Sequence, residues 1–312
     1  VNTIQFQRIT IIGLGHIGSS IARAVKQLGL AGELVATDAS AAIRTRANEI
    51  DLGDRVAETN ADAVKDTDLV IVCVPVGKLG TVAAEIAPYL KAGAIVSDVG
   101  SVKGPVAREM SGHLPSTVHF VPAHPVAGTE DSGPDSGFAE LFINRWCILT
   151  PLPDADPAAV EKLATFWRTI GANVETMTPD HHDLVLAVTS HLPHLIAYTI
   201  VGTADELENV TEAEVLKFSA GGFRDFTRIA ASDPTMWRDI FLANKDAVLE
   251  MLGAFQEDLS KLTRAIRRGD GEALFDHFTR TRAIRRGIVN IGQDAAGADF
   301  GRPHAKLTAK PE

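Results

Sequence analysis

The chain has 312 residues, 45% of them hydrophobic and 22% charged, with a formal net charge of −10. A chain of this size suggests about two domains of ~100–200 residues each, and the composition is that of a globular protein able to bury a large core. The acidic balance argues against nucleic acid as a main partner, because phosphate binding needs a basic face, but it leaves room for a small anion held by one or two arginines.

The N-terminal stretch VNTIQFQRITIIG runs into a strand pattern with no signal peptide. The longest apolar runs read as strand-length, short of the ~20 residues that span a bilayer. Cys73 and Cys147 lie in the apolar runs VIVCVP and RWCILT and read as buried small hydrophobes. These features lead us to expect a cytoplasmic protein with no membrane partner.

The first half alternates strands and helices. Strands are expected at RITIIG (8–13), ELVATD (33–38), DLVIVCVP (68–75), AIVSDV (94–99) and VHFVPA (118–123), with a first helix over about 16–28. RWCILTP and ANVETM add two strands around the helix AAVEKLATFWRTI. This spacing implies an α/β fold, a Rossmann-type doubly wound and mostly parallel sheet, over residues 1–178.

GLGHIG (13–18) fits the dinucleotide fingerprint and stands between a strand and a helix, as the motif requires. Gly13 permits the tight turn, Gly15 lets backbone approach a pyrophosphate, and Gly18 lets helix and strand pack closely. Leu14, His16 and Ile17 complete the loop, whose helix N-terminus offers N–H groups to the phosphates. Asp38 closes the second strand, where a carboxylate binds a ribose 2′-hydroxyl and repels a 2′-phosphate, so NAD is favoured over NADP. Arg44 and Arg46 follow closely and would soften that preference. Val74 and Pro75 either line the cofactor cleft or simply end a strand.

Two loops follow the next strands. SDVGSVKG (97–104) carries Ser101 and Lys103, and AHPVAGTE (123–130) carries His124. A loop histidine at the carboxyl end of such a sheet, oriented by a hydroxyl, suits removal of a proton from an alcohol as hydride leaves. Ser101 would equally serve as an N-cap for the helix that begins near GPVAREM.

From about residue 179 to 295 the pattern is helical throughout, as expected of an all-α dimerisation domain, and 296–312 reads as a mobile tail. The apolar segment LVLAVTSHLPHLIAYTIVGTADEL, interrupted by Pro193, should be buried in a core or against a partner chain. His182 and His191 are nine residues apart, half a turn out of phase on a straight helix, so no metal site is expected. In GGFRDFTR, Arg224 and Arg228 share a helical face, and Gly221 suits a turn or close backbone approach.

GLGHIGSS, DVGSVK, AHPVAGTE, HHD…SHLPH and GGFRDFTRIAASDPTMWRDI together resemble the prephenate/arogenate (cyclohexadienyl) dehydrogenases of tyrosine biosynthesis, over about residues 8–292. The resemblance implies oxidative decarboxylation with NAD as cofactor. Prephenate would give 4-hydroxyphenylpyruvate and arogenate would give tyrosine, each with release of CO2. It implies that His124 accepts the ring hydroxyl proton, that Ser101 orients His124 and the nicotinamide, and that Arg228 holds a substrate carboxylate. His182 and His194 match histidines beside the substrate; Ser190, Thr129, Glu130, Gly221 and Arg224 are further substrate candidates. A homodimer is expected, with tyrosine as an active-site inhibitor. A β-hydroxyacid dehydrogenase of similar plan and a non-catalytic NAD sensor are the competing readings.

Overall fold

The computed structural model describes residues 4–128, 132–208 and 221–290. Thr129, Glu130 and the 296–312 tail lie outside the described residues. The β-branched runs of the first half form six parallel strands: β1 (Phe6–Ile12), β2 (Ala31–Thr37), β3 (Arg55–Val56), β4 (Leu69–Val72), β5 (Ile95–Asp98) and β6 (His119–Phe120). Every residue of β4 and β5 is buried, as a strand covered by helices on both faces must be. The order β3-β2-β1-β4-β5-β6 reverses direction at β1, which opens a crevice beyond the carboxyl ends of β1 and β4.

Helix α1 (His16–Leu28) leaves that crevice, and α2 (Ala41–Glu49), α3 (Asn60–Ala63), α4 (Leu79–Ile86) and α5 (Gly104–Ser111) follow the later strands. Two glycines are needed for the first turn. Gly13 has φ +94°, and a Cβ on Gly18 would come within 2.0 Å of the Gly13 carbonyl oxygen.

The expected strand 118–123 is in fact two. β6 ends at Phe120, and after Pro122 a separate strand, β7 (Ala123–Pro125), joins another sheet. Proline has no N–H to continue the parallel ladder, whereas its carbonyl accepts from Thr150 N at 2.9 Å. β7 runs antiparallel to β8 (Trp146–Leu149), which runs parallel to β9 (Asn173–Thr176). RWCILTP and ANVETM therefore build a small mixed sheet instead of extending the parallel one. His124, expected in a loop, sits mid-strand in β7 opposite Ile148. Helix α6 (Pro157–Thr169), capped by Asp156, drives Leu163, Phe166 and Trp167 into the core shared by both sheets.

The described residues that follow are helical: α7 (Pro179–Leu186), a π turn (Ala187–His191), α8 (Leu192–Glu208), α9 (Gly221–Thr227), α10 (Pro234–Ala243), α11 (Lys245–Arg268) and α12 (Gly271–Asn290). Pro193 does not break the continuous run from α7 through the π turn into α8. It lacks the N–H that an α-helix would aim at the Thr189 carbonyl, and the π turn just before it respaces the ladder there. Pro179–Glu206 thus runs as one 28-residue helix with a mean hydropathy of 1.6, long and apolar enough to cross a membrane by length and composition. The expectation that no apolar stretch exceeds strand length is corrected by that continuity.

Trp167 is fully buried and meets Phe142 edge-on at 5.3 Å and Phe166 at 5.7 Å. Trp167→Ala should cost about 3–5 kcal/mol of stability, measured by urea denaturation; a loss under about 1 kcal/mol would show that the surrounding core closes over the gap.

Candidate active site

Asp98 ends β5, and its Oδ2 accepts from Gly100 N at 2.8 Å, which turns the chain. The turn delivers Lys103 into the interior with no exposed surface. Its ammonium donates to the Asp98 carboxylate and, at 2.6 Å, to the Ala123 carbonyl oxygen. Burial pulls the ammonium below the usual lysine range, and Asp98 opposes that pull.

Lys103 also begins α5 without a side-chain cap of its own. The cap comes from Asp183 of α7, whose Oδ1 and Oδ2 accept from Lys103 N at 2.7 Å and Gly104 N at 2.8 Å. Ser101 is thus not the cap. His182, next to Asp183, has Nδ1 2.8 Å from Asp183 Oδ1 and Nε2 2.8 Å from His124 Nδ1. The hydrogen bond at His124 Nδ1 therefore comes from His182. Burial pushes the His124 imidazole well below its ordinary value, and His182 and Lys103 push it the same way. His182 is lowered chiefly by burial, with Asp183 in opposition. Both rings are uncharged near neutral pH.

A second group adjoins the first. His191 is fully buried, and the Asn244 amide donates to its Nδ1 at 3.1 Å and to the Asp183 carbonyl at 2.8 Å. His194 donates from Nδ1 to the Ser190 carbonyl at 2.8 Å and stacks on Trp237 at 3.6 Å. Burial lowers both histidines to about 4, and the charge of Arg228 adds to the effect on His194. Arg224 is 77% exposed and paired with its neighbour Asp225, and Gly221 is an exposed residue at the start of α9. Both arginines are exposed, but only the charge of Arg228 bears on His194. Among the described residues, no three His, Cys, Asp or Glu side chains could together hold a metal ion.

The glycine loop fits a dinucleotide. A Cβ on Gly15 would meet no atom within 4 Å, so the backbone there is open to close approach. Gly15 begins α1 with no side-chain cap, so no side chain competes for the first-turn N–H groups. Asp38 is held by Leu14 N and Ser40 N, each at 2.8 Å, with its carboxylate at the end of β2. Arg44 is turned back onto the Asp38 carbonyl at 2.6 Å, and Arg46 onto Asp135 and Glu49, so both arginines have other partners. His16 lies 3.1 Å from Ser136 Oγ, Leu14 is fully buried, and Ile17 packs on the core. Val74 lies where a Cβ on Gly13 would come within 3.1 Å of its side chain, and the exposed Pro75 caps a short 3₁₀ turn.

Sequence reading missed Asp98, Asp183 and Asn244. Asp183 was visible inside the HHD motif, but nothing there distinguishes a capping carboxylate from a solvated one.

The model of the prephenate dehydrogenase nucleotide-binding domain matches residues 21–176, and that of the prephenate dehydrogenase dimerization domain matches residues 178–280. The chain is 46% identical over 280 residues to a cyclohexadienyl dehydrogenase of Zymomonas mobilis, covering 90% of this chain and 95% of that one. Prephenate dehydrogenase from A. aeolicus, solved with hydroxyphenyl propionate and NAD+, superposes with a TM-score of 0.85 at 33% identity, covering 90% of this chain and 98% of that one. Synechocystis arogenate dehydrogenase superposes with a TM-score of 0.77 at 25% identity, covering 90% and 99%.

His191 titrates near 4 when folded and near its ordinary 6.5 when unfolded. Between those values the unfolded chain binds the extra proton, so its contribution to stability is complete above 6.5 and is lost as pH falls towards 4. His191→Asn should flatten the fall in unfolding free energy across that window, measured by urea denaturation at stepped pH. An unchanged slope would exclude His191 as a source of the acid sensitivity.

Proposed function

The chain belongs to the prephenate dehydrogenase family, and on that footing we propose that it catalyses NAD-dependent oxidative decarboxylation of prephenate to 4-hydroxyphenylpyruvate, of arogenate to tyrosine, or of both. The observation that carries the reading is His124, buried, uncharged and held by His182 at the carboxyl edge of a dinucleotide-type sheet.

When bound, NAD supplies the two-electron acceptor. The first turn of α1 would hold its pyrophosphate, and Asp38 would take the ribose hydroxyls. His124 accepts the proton of the ring hydroxyl at Nε2, the nitrogen not engaged with His182. Arg228 holds a substrate carboxylate, for which its planar fork is suited, and His194 stacked on Trp237 forms the neighbouring wall. Ser101, on the loop before Lys103, edges the same site. Loss of the ring carboxylate as CO2 makes the ring aromatic and supplies the driving force, so the protein mainly positions, deprotonates and binds anions.

We assign residues 1–178 to the cofactor and 179–295 to substrate and subunit contacts. A homodimer is supported by the dimerization-domain match and by apolar side chains exposed on the last two helices, among them Leu259, Ile266, Phe275 and Phe278. Two free cysteines suit a reducing cytoplasm. Tyrosine, shaped like the product, competes at the active site in this reading.

NADH formation with prephenate and with arogenate in separate assays tests the reaction. His124→Asn should lower kcat by ~10²–10⁴ with substrate binding largely intact, and Arg228→Ala should mainly raise KM. A folded, NAD-binding protein inactive on both acids would overturn the proposal. Phe275→Asp should yield monomers in sedimentation equilibrium; an unaltered dimer would remove this surface from the interface.

A further inference from the structure

Asp183 acts on a histidine that it does not touch. Its Oδ1 already accepts from Lys103 N, its Oδ2 accepts from Gly104 N, and His182 Nδ1 lies 2.8 Å from Oδ1. A carboxylate only accepts, so His182 Nδ1 must carry the hydrogen. In the neutral ring Nε2 then holds a lone pair. The 2.8 Å contact from that nitrogen to His124 Nδ1 requires the hydrogen on His124 Nδ1. The opposite tautomers would set the His182 Nδ1 lone pair against the carboxylate and leave His124 protonated at the wrong nitrogen.

We propose that Asp183 is a positioning residue that, through His182, sets the tautomer of His124 and leaves Nε2 as the base for the substrate hydroxyl. The inference rests on the reaction proposed above. As the substrate O–H bond breaks and the Nε2–H bond forms, His124 becomes an imidazolium. Its Nδ1 hydrogen stays on the His182 bond, and the His182 Nδ1 hydrogen stays on the carboxylate, so Asp183 stabilises the charge without taking a proton. Other groups face the relay from three elements. Lys103, paired with Asp98, opposes charging of His124 from the β5–α5 segment; His191 does so from the π turn; Cys147 faces Lys103 from β8.

The same carboxylate caps α5, so a loss of activity alone would not separate positioning from capping. Long-range ¹H–¹⁵N imidazole correlations on the full chain, labelled at histidine and held at neutral pH without substrate, read the tautomers directly. Both His124 and His182 should carry hydrogen at Nδ1; an Nε2–H form of either overturns the proposal. Asp183→Asn should lower kcat by at least ~10²-fold while KM changes less than ~3-fold. It should also move the acid limb of the kcat profile to lower pH, because the charge favouring protonated His124 is gone. A fall in kcat with the limb unmoved would mean capping alone and would sink the idea. The tautomer measurement needs neither turnover nor a variant, so it stands apart from any failure of the proposed reaction.

Discussion

A lysine with no solvent exposure organises this molecule. Removing an ammonium from water costs several kcal/mol, and Lys103 offsets that cost with one carboxylate and one carbonyl. The two acceptors belong to different sheets: Asp98 ends β5 of the parallel sheet, and Ala123 begins β7 of the small mixed sheet. The pair therefore sets the spacing between the sheets and the position of the strand that carries His124. The backbone N–H of the same residue binds Asp183, so the helical region is tied to the same point. Removing one partner would strand a buried charge, a loss of about 3–5 kcal/mol in comparable pairs.

Burial, reinforced by nearby cations, sets the charge state of the histidines in the site. His124, His182, His191 and His194 are all lowered, in each case by burial first. Lys103 pushes His124 and His182 further, and Arg228 does the same to His194. A cluster of this kind would be a poor place for imidazolium ions and a good one for neutral imidazoles beside an anion. Each ring makes a hydrogen bond through at least one nitrogen, which favours one tautomer.

The π turn makes the arrangement possible. On a straight α-helix His182 and His191 would face opposite sides. A single π turn inserts one residue and rotates the rest of the helix by roughly 100°. Both rings are buried as a result, and Asn244 bonds to the Asp183 carbonyl at one end and to His191 at the other. Such turns recur where function demands a side chain that regular geometry would misplace.

Much of this was readable from residues alone. The parallel strands showed in their β-branched runs, the dinucleotide loop in its glycines between strand and helix, and the helical C-terminal part in its change of period. Family resemblance singled out His124 and the histidines of HHD…SHLPH, and the fold brings His124 and His182 within 2.8 Å of each other. The split of 118–123 at Pro122, the second sheet, the passage of the helix through Pro193 and the partner of His124 were not. Local pattern reports what a segment prefers by itself. Strand pairing, burial and hydrogen-bond partners depend on residues far apart in the chain, such as Lys103 and Asp183, which are separated by 80 positions. The sequence by itself determined which side chains were available for the chemistry; only the tertiary structure decided which carboxylate capped α5 and which ring held His124, because each of those choices is a contact between distant segments.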